Sequence, residues 1–198
     1  MDLLKQRIVA DGAVKPDNVI KVDSFLNHQI DVELMDAIAN EFERAYGDKK
    51  IDKVLTIEAS GIAVGCFVAQ RFGVPLVFAK KEQSINLDGE FYSTRIESYT
   101  HGRIYEVIVS KKYLKHGDHI LIVDDFLANA CALDGLIEIS EKAGAIIEGI
   151  CIVIEKGFQR GGASLRERGY PLTSLAIIES MNSDTGEIVF RQENKEEE

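Results

Sequence analysis

Positively charged residues are scarce in this sequence relative to acidic ones. Lysine and arginine together number 23 against 33 aspartates and glutamates, which gives a formal net charge of −10. Proteins that bind duplex nucleic acid in a general way are usually basic, and no segment here carries a basic stripe. The sequence therefore indicates no nucleic-acid partner. Any phosphate-binding site has to be local, built from backbone amides, a few cations and a metal ion.

Cysteines are also few. Cys66, Cys131 and Cys151 are odd in number, widely spaced and set among apolar residues. This arrangement argues against a disulfide framework and against a zinc cluster. We expect three reduced thiols in a cytosolic protein.

Long apolar runs are missing as well. No segment approaches the roughly 20 apolar residues of a membrane span. The N-terminal segment, MDLLKQRIVADG, has an acid at its second position and lacks the apolar core of a secretory signal. We therefore expect a soluble, cytoplasmic protein without membrane contact, and a chain of 198 residues with 45% hydrophobic content suits one domain over residues 1–198.

The most informative stretch is ILIVDDFLANACA, residues 120–132. Four apolar residues suited to a buried strand precede Asp124 and Asp125, and the small residues of 128–132 lead into a helical pattern that begins at Leu133. Parallel sheets bind ligands beyond the carboxyl ends of their strands. A small-residue loop ahead of a helix can bring several backbone N–H groups to a phosphate. Without further information, an ordinary strand and helix with solvated acids is the competing interpretation.

A second strand, loop and helix follow the same plan. The segment KVLTIE, residues 53–58, leads into Ala59, Ser60 and Gly61 and then into an apolar helix. The next strand, residues 74–79, is followed directly by Lys80 and Lys81, a pair that could serve either solubility or an anion.

Alternation of strand and helix patterns predicts an α/β fold with a mostly parallel sheet covered by helices on both faces. The strand ends at Glu58, Ala79, Asp125 and Glu155 should then converge on one crevice. We also predict a helix over residues 2–10, a strand over Val19–Phe25, a helix after Asp31, strands over residues 106–110, 146–154 and 172–181, and an edge strand within GEIVFRQ.

Residues 120–132 resemble the phosphoribosyl pyrophosphate motif of the purine phosphoribosyltransferases. The likeness extends over nearly the whole chain and is strongest to the bacterial, xanthine-specific members. It implies a type I phosphoribosyltransferase fold with a hood (residues 1–30 and the segment after 155) and a flap over residues 82–103, where Tyr92, Ser93 and Tyr99 are possible contacts.

The resemblance also implies how the sugar phosphate donor is bound. Asp124 and Asp125 would hold the ribose hydroxyls and stabilise a cationic ribose. Pyrophosphate would be bound by Ser60, Gly61 and Lys81, and Lys80 is the alternative to Lys81. The 5-phosphate would be wrapped by Ala128, Asn129, Ala130, Cys131 and Ala132.

For the purine, the resemblance assigns contact to Ile20, hydrogen bonding of the extra carbonyl of xanthine to Asn27, and selection of the 6-oxo group to Lys156. Phe158 would either stack on the base or lie in the core. The implied reaction transfers 5-phosphoribosyl to N9 of xanthine with Mg²⁺ bound alongside the donor, in a homodimer. No side chain is assigned as a metal ligand.

One position departs from the hypoxanthine and guanine enzymes, which have an aspartate three residues beyond the acid pair. Ala128 occupies that position here, so no loop side chain can act as the base. Xanthine is the stronger acid and could bind as its anion, favoured by Lys156. The alternatives are an enzyme that prefers guanine or hypoxanthine, a non-catalytic regulator that senses the donor, and a generic nucleotide-binding domain, although the last lacks a GxGxxG fingerprint.

Overall fold

A computed structural model describes residues 1–81, 89–98 and 103–192 of the chain. Its helices are α1 (Asp2–Asp11), α2 (Val32–Tyr46), α3 (Ser60–Phe72), α4 (Cys131–Ala143) and α5 (Arg160–Glu167), with a short π-helix over Asp23–Asn27. Its strands are β1 (Ala13–Lys15), β2 (Val19–Lys21), β3 (Lys53–Ile57), β4 (Leu76–Ala79), β5 (Phe91–Ser98), β6 (Arg103–Ser110), β7 (His119–Leu127), β8 (Ile146–Lys156), β9 (Leu172–Met181) and β10 (Ile188–Phe190).

Six strands form the central sheet in the order β10-β9-β8-β7-β3-β4. All neighbours in it are parallel except β10, which pairs antiparallel with β9 at the edge. The predicted α/β architecture with a mostly parallel sheet is confirmed. β7 is central because its carboxyl end lies between the strand ends of β3 and β8.

Strand β7 is buried on both faces, and its side chains alternate between two apolar clusters. Leu121 and Val123 pack with helices α1, α2 and α3, whereas Ile120 and Ile122 pack with α4 and the β5-β6 hairpin. Burial of each such side chain contributes about 1.5–3 kcal/mol. Two packed faces therefore fix the position of Asp124 and Asp125, which follow in the same strand.

The prediction of a strand over Val19–Phe25 is wrong beyond residue 21. The strand is only Val19–Lys21, paired with Ala13–Lys15, and the π-helix takes the chain from Asp23 to Asn27. Phe25 and Leu26 are adjacent and both fully buried, whereas a strand with the alternating pattern predicted here would bury only one of two adjacent residues. A helical turn buries both, and this packing outweighs the alternating pattern.

Three other elements are longer than predicted. Strand β7 continues past the acid pair to Leu127, so the acids lie inside the strand rather than at its end, and α4 begins two residues earlier than predicted. Strand β6 likewise begins at Arg103 rather than at Glu106.

Two parts of the predicted flap, residues 82–88 and 99–102, and therefore Tyr99, lie outside the described residues. Within the described residues, no helix combines the length and the apolar character that crossing a bilayer requires.

Candidate active site

A cavity of about 940 Å³ lies over the carboxyl ends of the central strands. It brings together residues that are far apart in the sequence but were predicted to share one crevice. The predicted site residues that line it are Ser60, Lys81, Asp124, Ala128, Asn129, Cys131, Ala132 and Lys156. The other lining residues are Asp17, Asn18, Val19, Ile57, Glu58, Ile96, Tyr105, Val107, Gln159 and Arg160.

Asp124 and Asp125 are each only 5% exposed. The backbone N–H of Asp125 donates to Asp124 Oδ1 over 3.0 Å. Burial raises the pKa of Asp124 well above its usual value, and the adjacent charge of Asp125 raises it further, while the ammonium of Lys81 acts in the opposite direction. Burial deprives the Asp124 carboxylate of hydration. A ligand with hydrogen-bond donors or positive charge would therefore stabilise its ionised form.

The two oxygens of Asp125 are both engaged by neighbouring elements. Ser60 Oγ donates to Oδ1 over 2.9 Å, and Asn27 Nδ2 donates to Oδ2 over 2.9 Å. Asp125 does not line the cavity, whereas Asp124 does. Asp125 thus connects the hood, the start of α3 and the central strand, and Asp124 is the acid of the pair that lines the cavity.

The first turn of α3 and the segment before it approach the acid pair closely. A Cβ atom built on Gly61 would lie 2.1 Å from Thr56 Oγ1 and 2.9 Å from Asp124 Oδ1, so only glycine fits. Glu58, whose peptide bond to Ala59 is cis, accepts a 2.8 Å hydrogen bond from the backbone N–H of Lys81. The loop and the end of β4 are therefore joined at the cavity.

Residues 128–132 turn sharply into α4 and are hereafter called the phosphate loop, after the role that the family resemblance implies for them. Ala130 has φ +69° and ψ 4°, the left-handed region, and its carbonyl accepts from the N–H of Asp134 over 2.8 Å. Asn129 Oδ1 accepts from the N–H of Cys131 over 3.2 Å. Ala128, Asn129, Cys131 and Ala132 line the cavity, so the amino end of α4 lies beside it, and a helix amino end suits an anion.

Lys156 lines the cavity on the hood side. Its Nζ donates to the carbonyl of Asn18 over 2.9 Å, and partial burial lowers its pKa. Of the other residues assigned to the base, Asn27 bonds Asp125, and Ile20 is 7% exposed within the core, whereas its neighbour Val19 lines the cavity. Phe158 is 38% exposed and is not a lining residue.

The strands that end at Ala79 and Glu155 do lead to the cavity, through Lys81 and Lys156, but the side chains of Ala79 and Glu155 do not line it. Ala79 is fully buried in the core, and Glu155 accepts hydrogen bonds from Arg166 Nη1 and Nη2 over 2.8 and 2.7 Å and from Ser174 Oγ over 2.5 Å. Burial alone would raise the pKa of Glu155, but these donors outweigh it and lower the pKa. Side chains alternate along a strand, so Lys156 faces the cavity and Glu155 points away.

Sequence patterns gave no indication of several lining residues. Gln159 and Arg160 follow Lys156 closely and could have been noted from that spacing, whereas Tyr105 comes from the distant β6. The predicted flap contacts Tyr92 and Ser93 do not line the cavity. Tyr92 packs against the apolar cluster on the α4 side of the sheet, with the Lys111 ammonium over its ring, and the carbonyl of Ser93 accepts a hydrogen bond from Lys142 Nζ. Among the described residues no three acid, histidine or cysteine side chains form a metal-binding group.

Known proteins with similar sequences cover almost the whole chain. A family model described as a phosphoribosyl transferase domain matches residues 21–185. Xanthine phosphoribosyltransferase of Lachnoclostridium phytofermentans is 61% identical over 191 residues, 96% of this chain and 98% of that protein. The protein of the same name from Bifidobacterium adolescentis is 58% identical and covers 96% of this chain and 100% of its own length.

Solved structures with the same fold include adenine phosphoribosyltransferases. The enzyme of Giardia lamblia, complexed with 9-deazaadenine, superposes with a TM-score of 0.73 at 24% identity, covering 88% of this chain and 96% of its own. The enzyme of Saccharomyces cerevisiae gives a TM-score of 0.71 at 23% identity over 88% of this chain and 99% of its own. The full-length sequence matches and the shared fold establish that this chain belongs to the phosphoribosyltransferase family.

Proposed function

We propose that this protein is a pentosyltransferase that moves the 5-phosphoribosyl group from phosphoribosyl pyrophosphate to N9 of xanthine, forming xanthosine 5′-monophosphate and pyrophosphate in purine salvage. The observation that carries the proposal is the buried acid pair Asp124 and Asp125, of which Asp124 lines the same large cavity as residues of the phosphate loop. Relatives named for this activity, 58–61% identical over 96% of the chain, support the choice of xanthine.

Each part of the donor has a matching surface in the cavity. The phosphate loop offers backbone N–H groups for the 5-phosphate. Asp124 offers a carboxylate to the ribose hydroxyls and to the positive charge that develops on the sugar as pyrophosphate departs. Ser60, Gly61 and Lys81 take the pyrophosphate.

Lys81 lines the cavity of its own chain, and its charge acts on Asp124 there. This favours a contact within the subunit. The homodimer and the cytoplasmic location rest on the family resemblance.

The base would lie between the phosphate loop and the hood. Lys156 is held at the cavity wall by Asn18, with further N–H groups on its ammonium for the 6-oxo group. Asn27, fixed by Asp125, would meet the extra carbonyl of xanthine, and Ile20 would support the hood strand beneath the base.

The residues present fit a magnesium ion that enters with the donor. Asp124 and Glu58 line the cavity, and carboxylate oxygens are ligands that Mg²⁺ accepts together with substrate phosphates. When bound, the ion would neutralise charge on the leaving pyrophosphate.

The proton on the purine needs no base from the protein. Ala128 offers no proton acceptor, and xanthine can bind as its anion opposite the Lys156 ammonium. Initial rates should therefore rise with pH as the substrate ionises. A pH–rate profile that does not reflect the ionisation of xanthine would contradict this part of the mechanism.

A competition among bases tests the proposal. Purified protein is mixed with donor and Mg²⁺, and xanthine, guanine, hypoxanthine and adenine are compared by kcat/KM with product identification. We expect xanthine to be preferred and pyrophosphate to be released in equal amount. Preference for guanine or hypoxanthine would reassign the substrate, and donor binding without turnover of any base would indicate a regulator.

A further inference from the structure

Helix α5 lies directly behind the phosphate loop, although no sequence pattern links the two. The backbone N–H of Gly161, in its first turn, donates a 3.0 Å hydrogen bond to the carbonyl of Ala128. A Cβ atom on Gly161 would lie 2.3 Å from that oxygen and 2.8 Å from the backbone nitrogen of Ala130. Both contacts are with main-chain atoms of the loop, so any side chain at position 161 has to displace the loop itself.

The helix that carries Gly161 is fixed independently of the loop. Arg166 forms the two hydrogen bonds to the fully buried carboxylate of Glu155, and Ser174 donates a third. Gly162 lies against the same carboxylate, because a Cβ atom there would be 2.0 Å from Glu155 Oε1. At the end of α5, Arg168 pairs with Asp134 in the first turn of α4 over 2.5 Å.

The loop is therefore held between α4 and α5: Glu155 of β8 fixes α5 through Arg166, and one exposed ion pair, Arg168 with Asp134, joins the two helices. One side of the loop continues into α4, and the other side is bonded by Gly161. Ala130 remains in the left-handed region within this arrangement although it has a Cβ atom. A loop of this kind keeps its amide groups in place before an anion arrives, which reduces the ordering cost of binding.

We propose that Gly161 is a positioning residue for the 5-phosphate site, and that the Glu155–Arg166 pair acts through it to set the shape of the phosphate loop. Its ligand would be the phosphate monoester of a sugar phosphate. The inference rests on the proposed function, because it takes residues 128–132 as the place where that phosphate binds. It assigns no chemistry to Gly161, which does not line the cavity.

The test is calorimetric and uses Gly161→Ala with Ala163→Ser as a matched control on the exposed face of the same helix. Ribose 5-phosphate and pyrophosphate with Mg²⁺ are titrated separately into each protein. We expect the Gly161 variant to bind ribose 5-phosphate about 10- to 100-fold more weakly, since a shift of about 1 Å has effects of that size. Its affinity for pyrophosphate, and both affinities of Ala163→Ser, should stay within about twofold of wild type.

Further measurements separate positioning from general damage. Glu155→Gln retains the shape of the side chain but weakens the hold on Arg166, so the same selective loss of ribose 5-phosphate binding is expected, to a smaller degree. In steady-state kinetics the KM for the donor should rise in both variants while the KM for the purine changes little.

Equal loss of both ligands, or wild-type affinity for ribose 5-phosphate in Gly161→Ala, would overturn the inference. If the wild-type protein itself fails to bind ribose 5-phosphate, the proposed donor site is wrong instead.

Discussion

The side-chain amide of Asn27 donates a 2.9 Å hydrogen bond to Asp125 Oδ2, which joins the hood to the central strand across 98 residues of sequence. The residue assigned to the base is thus held by an acid assigned to the ribose. A change at Asn27 should therefore affect both substrates, because the hood position and the acid pair depend on the same bond.

Asn27→Asp tests this coupling. The new carboxylate would face Asp125 at hydrogen-bond distance, and two acids in contact repel unless one of them holds a proton. We expect the KM for the donor and the KM for xanthine both to rise at least about tenfold, which corresponds to about 1.4 kcal/mol each. Gln29→Glu, an exposed hood position with the same change of charge, should leave both within about twofold. A change confined to the xanthine KM would show that Asn27 serves the base alone.

Replacing Asp124 by asparagine should stabilise the fold while abolishing turnover. The pKa of Asp124 is raised in the folded protein, so the folded state holds its proton more tightly than the unfolded chain does. The wild type accordingly loses stability as pH rises from the usual carboxyl value through the raised one. Asp124→Asn avoids this loss, and at pH 7 its free energy of unfolding should exceed that of wild type by about 0.5–2 kcal/mol.

Urea denaturation at several pH values measures the difference. The advantage of Asp124→Asn should shrink as the pH falls toward about 4, the usual range of an aspartate pKa. A variant that is less stable at pH 7, or an advantage that does not change with pH, would contradict this account of the acid pair.

Glycine substitutions at Ala130 and Ala132 should change the free energy of unfolding in opposite directions. The reason is that Ala130 has a left-handed backbone conformation, whereas Ala132 lies in a helix. A residue with a Cβ atom costs roughly 1–2 kcal/mol in this region compared with glycine. Ala130→Gly should therefore raise the free energy of unfolding, by up to about 1 kcal/mol after the greater freedom of glycine in the unfolded chain is subtracted. Ala132→Gly, inside the first turn of α4, should lower it by about 1 kcal/mol. Destabilisation by Ala130→Gly would show that the loop does not hold this geometry in solution.

The charge on Lys156 should limit purine binding at high pH. Partial burial lowers its pKa from the usual value for lysine, so its ammonium loses its proton at a lower pH than an exposed lysine does. The KM for xanthine should rise through that range while the KM for the donor does not. Lys156→Arg should remove this limb because arginine stays protonated. A limb that persists in the arginine variant would have to come from another group.

Local patterns in the sequence were sufficient for the central architecture. The apolar run ending at Val123, with side chains that pack on both faces of the sheet, predicts a buried parallel strand without knowledge of its neighbours. Asp31 before an amphipathic segment likewise predicts α2, and its side chain does accept from the N–H of Leu34. In both cases the deciding interactions lie within a few residues.

Contacts between distant segments could not be predicted in this way. Phe25 and Leu26 leave the strand pattern because both find room in the core, and Glu155 turns away from the cavity toward Arg166. The sequence does not distinguish Gly161 from other glycines in helices, because its close contact with Ala128 arises only in the folded protein. The resemblance to a family supplied the candidate ligand residues, whereas the support behind them depends on tertiary packing.

Titration of phosphoribosyl pyrophosphate with Mg²⁺ into the wild type and into the double variant Asp124→Asn, Asp125→Asn tests the central claim most directly. If the donor is held between the acid pair and the phosphate loop, calorimetry will show a saturable site in the wild type and at least about 100-fold weaker binding in the double variant, the loss expected when two charged hydrogen-bonding groups of about 1.5–3 kcal/mol each are neutralised. Equal donor affinity in the two proteins, with both correctly folded, would contradict it.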